Sequence, residues 1–170
     1  MFAEGDYISH GSNGVCRVAG FTWMDVPGTG EKKEYYILKP VYDKGATVYS
    51  PVETGEVLKC RRIMTEEQAR ELLECIPKVE RLAASNAKEL DDKCKLAVLS
   101  GECTEWVRAI KTICRERDRR LGQGKKMTAL QERYLKAAQD KLCGELAVSL
   151  RSEKAKMEEL LLERLALEIL

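Results

Sequence analysis

The feature that most constrains how this chain can fold is a change in its sequence pattern near residue 60. Before that point, short runs of β-branched and aromatic residues alternate with clusters of glycine, proline, asparagine and aspartate, which favour turns. The predicted strands lie at residues 7–8, 15–18, 34–38 and 47–49. Short strands at roughly ten-residue spacing are typical of a small, strongly bent β-barrel. A unit of this size has a marginal core, so we expect it to bind partners rather than enclose a substrate.

After residue 62 the apolar residues recur at helical spacing. Thr65 with Gln68, and Thr128 with Gln131, form two capping boxes that mark helix starts, because their side chains can satisfy the free amides of a first turn. The predicted helices begin near residues 65, 78, 102, 128 and 152, and the second is expected to bury Ala83 and Ala87. We therefore predict an α+β protein, with a small N-terminal β-barrel at residues 1–62 and a compact all-α domain of about five helices at residues 63–170.

Composition argues against several classes of protein. The chain has no N-terminal apolar segment and no apolar run long enough to span a membrane, so we expect a cytoplasmic protein without membrane contact. Seven cysteines include no C-x-x-C pair, and the single histidine, His10, cannot complete a common zinc ligand set. We therefore expect reduced cysteines in the core, no bound metal and no cofactor.

The net charge of +1 is unevenly distributed. Residues 108–126 hold eight basic and two acidic side chains, a local charge of +6. On a helical wheel the cations lie opposite a narrow apolar sector. A surface of this kind suits the phosphate backbone of a nucleic acid. The candidate DNA contacts are Arg108, Lys111, Arg115, Arg119, Arg120, Lys125 and Lys126. The alternative is an ordinary solvated face, because Glu116 and Asp118 dilute the charge and no motif reads base edges.

Two tryptophans and one thiol leave further alternatives. Trp106 is either a wedge inserted into DNA or a core residue, and its spacing among the apolar residues predicts core. Trp23 either faces a partner at the barrel edge or covers the small core. Cys16 and His10 flank one turn and could form a thiolate pair, but no third orienting group accompanies them. We therefore predict no catalytic residues and no small-molecule substrate.

Several runs of residues resemble the CarD/CdnL family of bacterial transcription factors. In the first unit they are FAEGDYI at 2–8, NGV at 13–15, YYIL at 35–38 and VYDKGATVYSPV at 41–52. Further along, LSGE at 99–102 is similar to a turn between two helices of the family, and GELA at 144–147 is similar to a motif near the end of a later helix. The matches keep the family's order along the chain.

The resemblance implies a Tudor-like (SH3-like) N-terminal domain, shared with the transcription-repair coupling factor, that binds the β subunit of RNA polymerase. In the family the contact is made by an edge strand and the preceding hairpin. The corresponding positions here are Trp23, Met24, Thr47, Val48 and Tyr49. Many members carry basic residues where this chain has Met24 and Tyr49. The expected contact here is therefore a strand-edge or apolar one, and a salt bridge is not expected.

The helical domain of the family inserts a tryptophan into the minor groove at the upstream edge of the promoter bubble. Counting back from Ser100 and Gly101, the matching position lies within residues 82–87, which contain no aromatic residue. A wedge needs a large apolar side chain to replace lost base stacking, and alanine cannot provide one. The resemblance thus implies a reduced or altered ability to stabilise open promoters.

Taken together, the sequence predicts a CarD-like, non-enzymatic transcriptional regulator. Its first domain would bind the RNA polymerase β subunit, and its helical domain would contact the backbone of promoter DNA and modulate the stability of the open complex. The alternative is a protein–protein adaptor on RNA polymerase that does not bind DNA. A salt-dependent affinity for DNA separates the two.

Overall fold

The computed structural model describes residues 1–53 and 60–167. The chain divides into two compact units, Met1–Ile63 and Met64–Leu170. The first unit contains the strands β1 (Tyr7–His10), β2 (Gly14–Asp25), β3 (Lys32–Pro40), β4 (Val48–Pro51) and β5 (Cys60–Arg62). The second contains the helices α1 (Glu66–Cys75), α2 (Ala87–Leu99), α3 (Cys103–Gly122), α4 (Ala129–Ser149) and α5 (Lys154–Ala166), with a 3₁₀ turn at Ile76–Lys78. The predicted α+β class is confirmed.

The sheet unit is built on one long hairpin. β2 and β3 span 12 and 9 residues and pair in antiparallel register, with an irregularity between Val18 and Gly20. Gly28 and Gly30, in the turn between these strands, have φ values of 82° and 71°, which favour glycine. The strands therefore extend well beyond the short segments that the sequence predicted.

The five strands lie in the order β4-β3-β2-β1-β5. This order makes β4 and β5 the two edges of an open sheet, and across the described residues they do not pair with each other. The expected closed barrel is therefore not what the described part of the chain shows. β4 has four residues and β5 has three, so each edge offers only a short row of backbone groups for pairing.

The sheet unit has a small core on one face of the sheet. Its buried members are Ile8, Cys16, Val18, Tyr36 and Leu38. The Phe2 ring lies 5.7 Å from the Tyr36 ring, and the Tyr36 hydroxyl oxygen accepts a 3.0 Å hydrogen bond from the Phe2 amide. The N-terminal residues thus cover one end of this core.

In the helical unit, α3 packs against both α2 and α4, and α4 also packs against α5. The buried apolar residues of all five helices form one continuous cluster. Trp106 belongs to it, with 2% of its surface exposed and its indole Nε1 donating a 3.2 Å hydrogen bond to the Val98 carbonyl. The prediction that Trp106 is a core residue is confirmed, which rules out the wedge alternative.

Both predicted capping boxes are present at the starts of α1 and α4. The start predicted for the second helix is wrong, because α2 begins at Ala87, and residues 79–86 form neither helix nor strand. The Asn86 side chain accepts a 2.8 Å hydrogen bond from the Glu89 amide and so caps α2 eight residues after the 3₁₀ turn. Ala83 and Ala87 are exposed rather than buried.

A buried carboxylate fixes the beginning of the helical unit. Glu145 of α4 is fully buried, and its Oε1 accepts a 2.9 Å hydrogen bond from the Met64 amide. Its Oε2 accepts from the Cys103 thiol at 3.3 Å, and the Ser149 hydroxyl donates to the Met64 carbonyl at 2.7 Å. Both backbone polar groups of Met64 are therefore held by side chains of α4.

Candidate functional site

The register of the sheet divides the five candidate polymerase contacts between its two faces. Directly opposed residues of neighbouring strands share a face, and successive residues of one strand alternate. Val48 is opposite the buried Leu38 and packs against the sheet core, whereas Tyr49 points to the other face. Trp23 and Met24 are consecutive in β2 and therefore also lie on opposite faces. The five residues do not form a single surface.

Met24 and Tyr49 share the outer face, which is the face away from the sheet core. They are 38% and 50% exposed. Near Tyr49, at the opposite end of β3 from Met24, the Thr47 hydroxyl accepts a 2.5 Å hydrogen bond from the Lys39 ammonium. Since Tyr49 is on the edge strand β4, this outer face is continuous with a row of strand-edge backbone groups.

Trp23 lies on the core side of the sheet but beyond the core itself. It is 65% exposed, so it does not cover the core, and this answers the question that the sequence left open. Its side chain lines a groove of about 740 Å³ together with Pro51 and Val52. Charged side chains from the β2–β3 hairpin complete the walls of this groove: Glu31, Lys32, Lys33 and Glu34.

In the helical unit, Lys111 is not part of the exposed basic stripe. It is only 2% exposed, and its ammonium donates hydrogen bonds to the carbonyl oxygens of Ile76 at 2.7 Å and Pro77 at 3.2 Å, and to that of Val79. The expectation that Lys111 offers its charge to DNA is therefore wrong. The physical reason is that a helix end leaves carbonyl groups unpaired, and a long lysine stem can be buried while its ammonium satisfies them.

Other side chains of α3 hold the backbone of residues 79–86. The Arg108 Nε donates to the Glu80 carbonyl at 3.2 Å, and the Thr112 hydroxyl oxygen accepts from the Leu82 amide at 2.9 Å. From α2, the Lys93 ammonium donates to the Ala83 carbonyl. This segment lacks regular structure, but it is fixed against α3 at several points.

The remaining cations of the stripe differ in how strongly the protein already engages them. Arg119 pairs with Glu116, with a nitrogen–oxygen distance of 2.6 Å, and hydrogen bonding by this guanidinium lowers the pKa of the Glu116 carboxyl. Arg108 pairs with Glu105 at 3.0 Å. Arg120 Nε donates to the Lys126 carbonyl at 2.8 Å, which steadies the turn after α3. The most exposed cations of the stripe are Arg115, Arg119, Lys125 and Lys126.

A groove of about 400 Å³ separates the 79–86 segment from the second half of α3. Arg115 and Arg119 lie on the α3 wall, and Asn86 and Ala87 lie on the opposite wall, where α2 begins. Arg81 also lines this groove and was not among the predicted contacts. Because Arg81 lies in a non-helical segment, it has no place in a helical charge pattern, and the spacing of α3 could not reveal it.

Most of residues 82–87, the segment in which the sequence resemblance predicts the wedge position, line this groove. Ala84 and Ala87 are exposed, and Ala87 is the first residue of α2. Ser85 is held by Glu89, whose Oε2 accepts a 3.0 Å hydrogen bond from the Ser85 amide. The structure therefore displays these positions to solvent on a fixed backbone, but it gives them only small side chains.

The thiol alternative gains no support from the geometry. Burial raises the pKa of the Cys16 thiol to about 11, so the thiolate is strongly disfavoured near neutral pH. Burial also lowers the pKa of His10, whose Nδ1 lies 3.0 Å from the side-chain nitrogen Nδ2 of Asn13. None of the seven cysteines forms a disulfide, and four of them are buried, but Cys75 is exposed and departs from the expectation of core cysteines.

Two further features bear on the kind of site that the chain can hold. Across residues 1–53 and 60–167, no three histidine, cysteine, aspartate or glutamate side chains are grouped as metal ligands. Within the same residues, no helix combines the length and apolar character that crossing a membrane requires.

Comparison with known protein families assigns the sheet unit. Residues 2–64 match the model of the CarD-like/TRCF RID domain family. The match spans β1 to β5 and ends at Met64, where the helical unit begins. This chain therefore carries a CarD-like domain, of the kind shared with TRCF, as its N-terminal unit.

Proposed function

We propose that this protein is a non-enzymatic, cytoplasmic regulator of bacterial transcription that binds the β subunit of RNA polymerase through its sheet unit and the backbone of promoter DNA through its helical unit. The observation that carries the proposal is the family match over residues 2–64. The exposed cations along α3 support the second half of it.

The polymerase contact centres on β4 and the outer face beside it. An edge strand can accept an additional strand from a partner, and neighbouring side chains then provide specificity. Tyr49 and Met24 provide an exposed aromatic and an exposed thioether there, and both side-chain types are enriched at protein interfaces. Thr47 lies at the start of the same edge, while Val48 supports the sheet core and Trp23 extends the surface on the other face.

Replacing Tyr49 with glutamate tests this contact. Tyr49→Glu in the full chain should reduce affinity for RNA polymerase at least about tenfold, because it buries a charge in an apolar contact. Tyr7→Glu is the matched control, since Tyr7 is 40% exposed and lies on β1, three strands away from the β4 edge. Val48→Glu is unsuitable because Val48 packs against the core.

The measurement is binding of the full chain to purified core polymerase, followed by cross-linking that identifies the contacted subunit. Equal affinity of the parent and Tyr49→Glu would remove β4 from the interface. A cross-link to a subunit other than β would contradict the assigned partner.

The DNA contact centres on the groove between α3 and the 79–86 segment. Arg115, Arg119 and Arg120 lie along or beside this groove, and Lys125 and Lys126 continue the positive surface into the following turn. Guanidinium and ammonium groups bind phosphate oxygens without reading the bases, so the contact should be independent of sequence. The amides at the start of α2 add partial positive charge on the facing wall.

The double change Arg115→Glu with Arg119→Glu should weaken DNA binding about equally on unrelated sequences. The slope of log affinity against log salt should become shallower by about two, one unit for each lost phosphate contact. Arg70→Glu with Lys156→Glu makes the same change in net charge on exposed residues of α1 and α5. This control variant should keep the salt slope of the parent.

The position of the absent wedge provides a gain-of-function test. Ala87→Trp adds a stacking surface at an exposed residue, and base–aromatic stacking contributes about 1–3 kcal/mol. We therefore expect the open promoter complex to live roughly ten to a hundred times longer. Ala129→Trp is the matched control, because Ala129 is also an exposed alanine at the first position of a capped helix. An unchanged lifetime with Ala87→Trp would show that this region does not reach the bubble.

The second candidate function is an adaptor on RNA polymerase that does not bind DNA. The observation that favours it is the engagement of the basic stripe within the protein itself. Lys111 is buried, and Arg108 and Arg119 already pair with carboxylates. DNA affinity that is absent at low salt would establish this alternative, whereas affinity that falls with salt as described above would exclude it.

A further inference from the structure

A second groove lies between α3 and α5, next to the groove beside residues 79–86, with which it shares Arg81 and Arg115. It has a volume of about 570 Å³ and differs in character from the groove beside residues 79–86. Leu162 and Leu165 of α5 form its apolar part, and Arg115 and Arg117 of α3 lie along its basic part. Leu162 is 61% exposed, although leucine favours burial.

The exposed face of α5 carries the opposite charge. At 100° per residue, Leu162 lies between Glu158 and Glu159, and Glu163 widens the acidic side. All four residues are exposed, while Met157 and Leu161 on the opposite face are buried. The exposed face of α5 is therefore acidic around Leu162, and the charged residues that line the groove beside this face are mostly basic.

We propose that this region is a self-complementary surface that pairs two copies of the chain. In a twofold-symmetric dimer each copy contributes the same patch. A patch with an acidic strip and a basic strip can then form two equivalent sets of ion pairs, one on each side of the axis. Leu162 of each copy would meet its equivalent near the axis. Glu158 and Glu159 would face Arg115 and Arg117 of the other copy.

The charges of this region favour a second copy over other occupants. A DNA backbone offers anions to the arginines, but it offers nothing apolar to Leu162 and repels the carboxylates of α5. The chain itself displays the leucine flanked by carboxylates that the groove would recognise. The Nε of Arg117 lies 3.4 Å from the Oδ1 of Asp118. A guanidinium has five N–H donors, so other donors of Arg117 can bind a partner.

The proposed contact involves one face of one helix, so it is a small interface. Interfaces at the low end of the size range are weak and transient. We therefore expect a monomer–dimer equilibrium that depends on concentration and, because ion pairs contribute to it, weakens as salt rises. The proposal does not depend on the assignment of polymerase or DNA as partners.

The test is sedimentation of the full chain over a range of concentrations at low salt. The parent should shift from monomer towards dimer, and Leu162→Glu should raise the dissociation constant at least about tenfold. Leu96→Glu is the matched control, because Leu96 is 68% exposed on α2 and does not line this groove. It should leave the equilibrium unchanged.

Charge reversal provides a second, independent readout. Arg117→Glu should weaken the dimer, and adding Glu159→Arg to the same chain should restore it, since the reversed pair can form again across the twofold axis. A chain that remains monomeric at every concentration overturns the proposal. So does a dimer that tolerates Leu162→Glu, or a monomer whose affinity for DNA is lost on Leu162→Glu, which would assign the groove to nucleic acid.

Discussion

The two units of this protein expose different kinds of large apolar side chain. Among the described residues, the exposed aromatic side chains all belong to the sheet unit: Tyr7, Phe21, Trp23, Tyr42 and Tyr49. The large apolar side chains that the helical unit exposes are leucines, and it buries its tryptophan. The helical unit shows cations along α3 instead.

This difference supports the proposal that the two units bind two kinds of partner, RNA polymerase and DNA. Aromatic side chains contribute large contact areas to protein interfaces and tolerate salt, because their contribution is mostly apolar. Exposed cations bind polyanions through a term that salt weakens steeply. We therefore expect the polymerase contact to persist at salt concentrations that abolish the DNA contact.

The largest expected effect is on the helical core. Leu142→Ala should lower the free energy of unfolding by about 2–5 kcal/mol, because Leu142 is fully buried and the cavity would only partly collapse. Tyr49→Ala, at an exposed aromatic of the sheet unit, should change stability by no more than about 0.5 kcal/mol. Urea unfolding of both variants measures the difference. Similar losses of stability in Leu142→Ala and Tyr49→Ala would contradict the distinction between buried and exposed apolar side chains.

The next effect separates a structural cation from a binding one. Lys111→Met keeps an apolar stem but removes the donor to the carbonyls of Ile76 and Pro77, and should cost about 1–3 kcal/mol of stability. It should leave the salt slope of DNA binding unchanged. Arg115→Met should have little effect on stability. It should make the slope of log DNA affinity against log salt shallower by about one. Urea unfolding and DNA titrations at several salt concentrations test both statements.

A smaller effect concerns the start of α4. Thr128→Ala removes the hydroxyl that accepts from the Gln131 amide, which is one half of the capping box. It should lower the free energy of unfolding by about 1 kcal/mol. Thr128→Ser keeps the hydroxyl and should restore most of the loss. Glu102, the N-cap residue of α3, makes no side-chain capping bond and should tolerate alanine within about 0.5 kcal/mol. Thermal unfolding of the three variants would detect any departure from this order.

The smallest effect is a pH dependence confined to the sheet unit. Burial lowers the pKa of His10, so as pH falls below about 6.5 the unfolded chain takes up a proton that the folded unit does not. The unfolded state gains from this uptake, and the stability of the sheet unit should decrease with falling pH. His10→Asn should flatten the dependence between about pH 7 and pH 5, above the range where carboxylates titrate. Amide exchange in β1 measures this pH dependence of stability. The same pH dependence in the parent and in His10→Asn would contradict the prediction.

Features that depend on neighbouring residues could be predicted from the sequence. The capping boxes at Thr65 and Thr128 are four-residue patterns, and both are present. The core position of Trp106 follows from its spacing along a single helix. The β-type pattern of the first sixty residues predicted a sheet, although it underestimated the length of the β2–β3 hairpin.

Features that depend on residues distant in the sequence could not be predicted in this way. The alanines before Asn86 favour helix locally. Hydrogen bonds donated by Arg108 and Lys111, and one accepted by Thr112, instead hold residues 79–82 in an irregular path. The same contacts explain why Lys111 was wrongly counted among the exposed cations. Spacing places a side chain on a helical face, but only its partners decide whether its charge reaches solvent.

The anchoring of residues 79–86 to α3 also has an evolutionary consequence. A loop that moved freely would need several changes before any new side chain acquired a defined direction. Here the backbone is already positioned, so one substitution at Ala84 or Ala87 places a side chain of a different size at the same point on the surface. We infer that proteins with this architecture can change how strongly they act on a partner by altering a single residue, without rebuilding the fold that presents it.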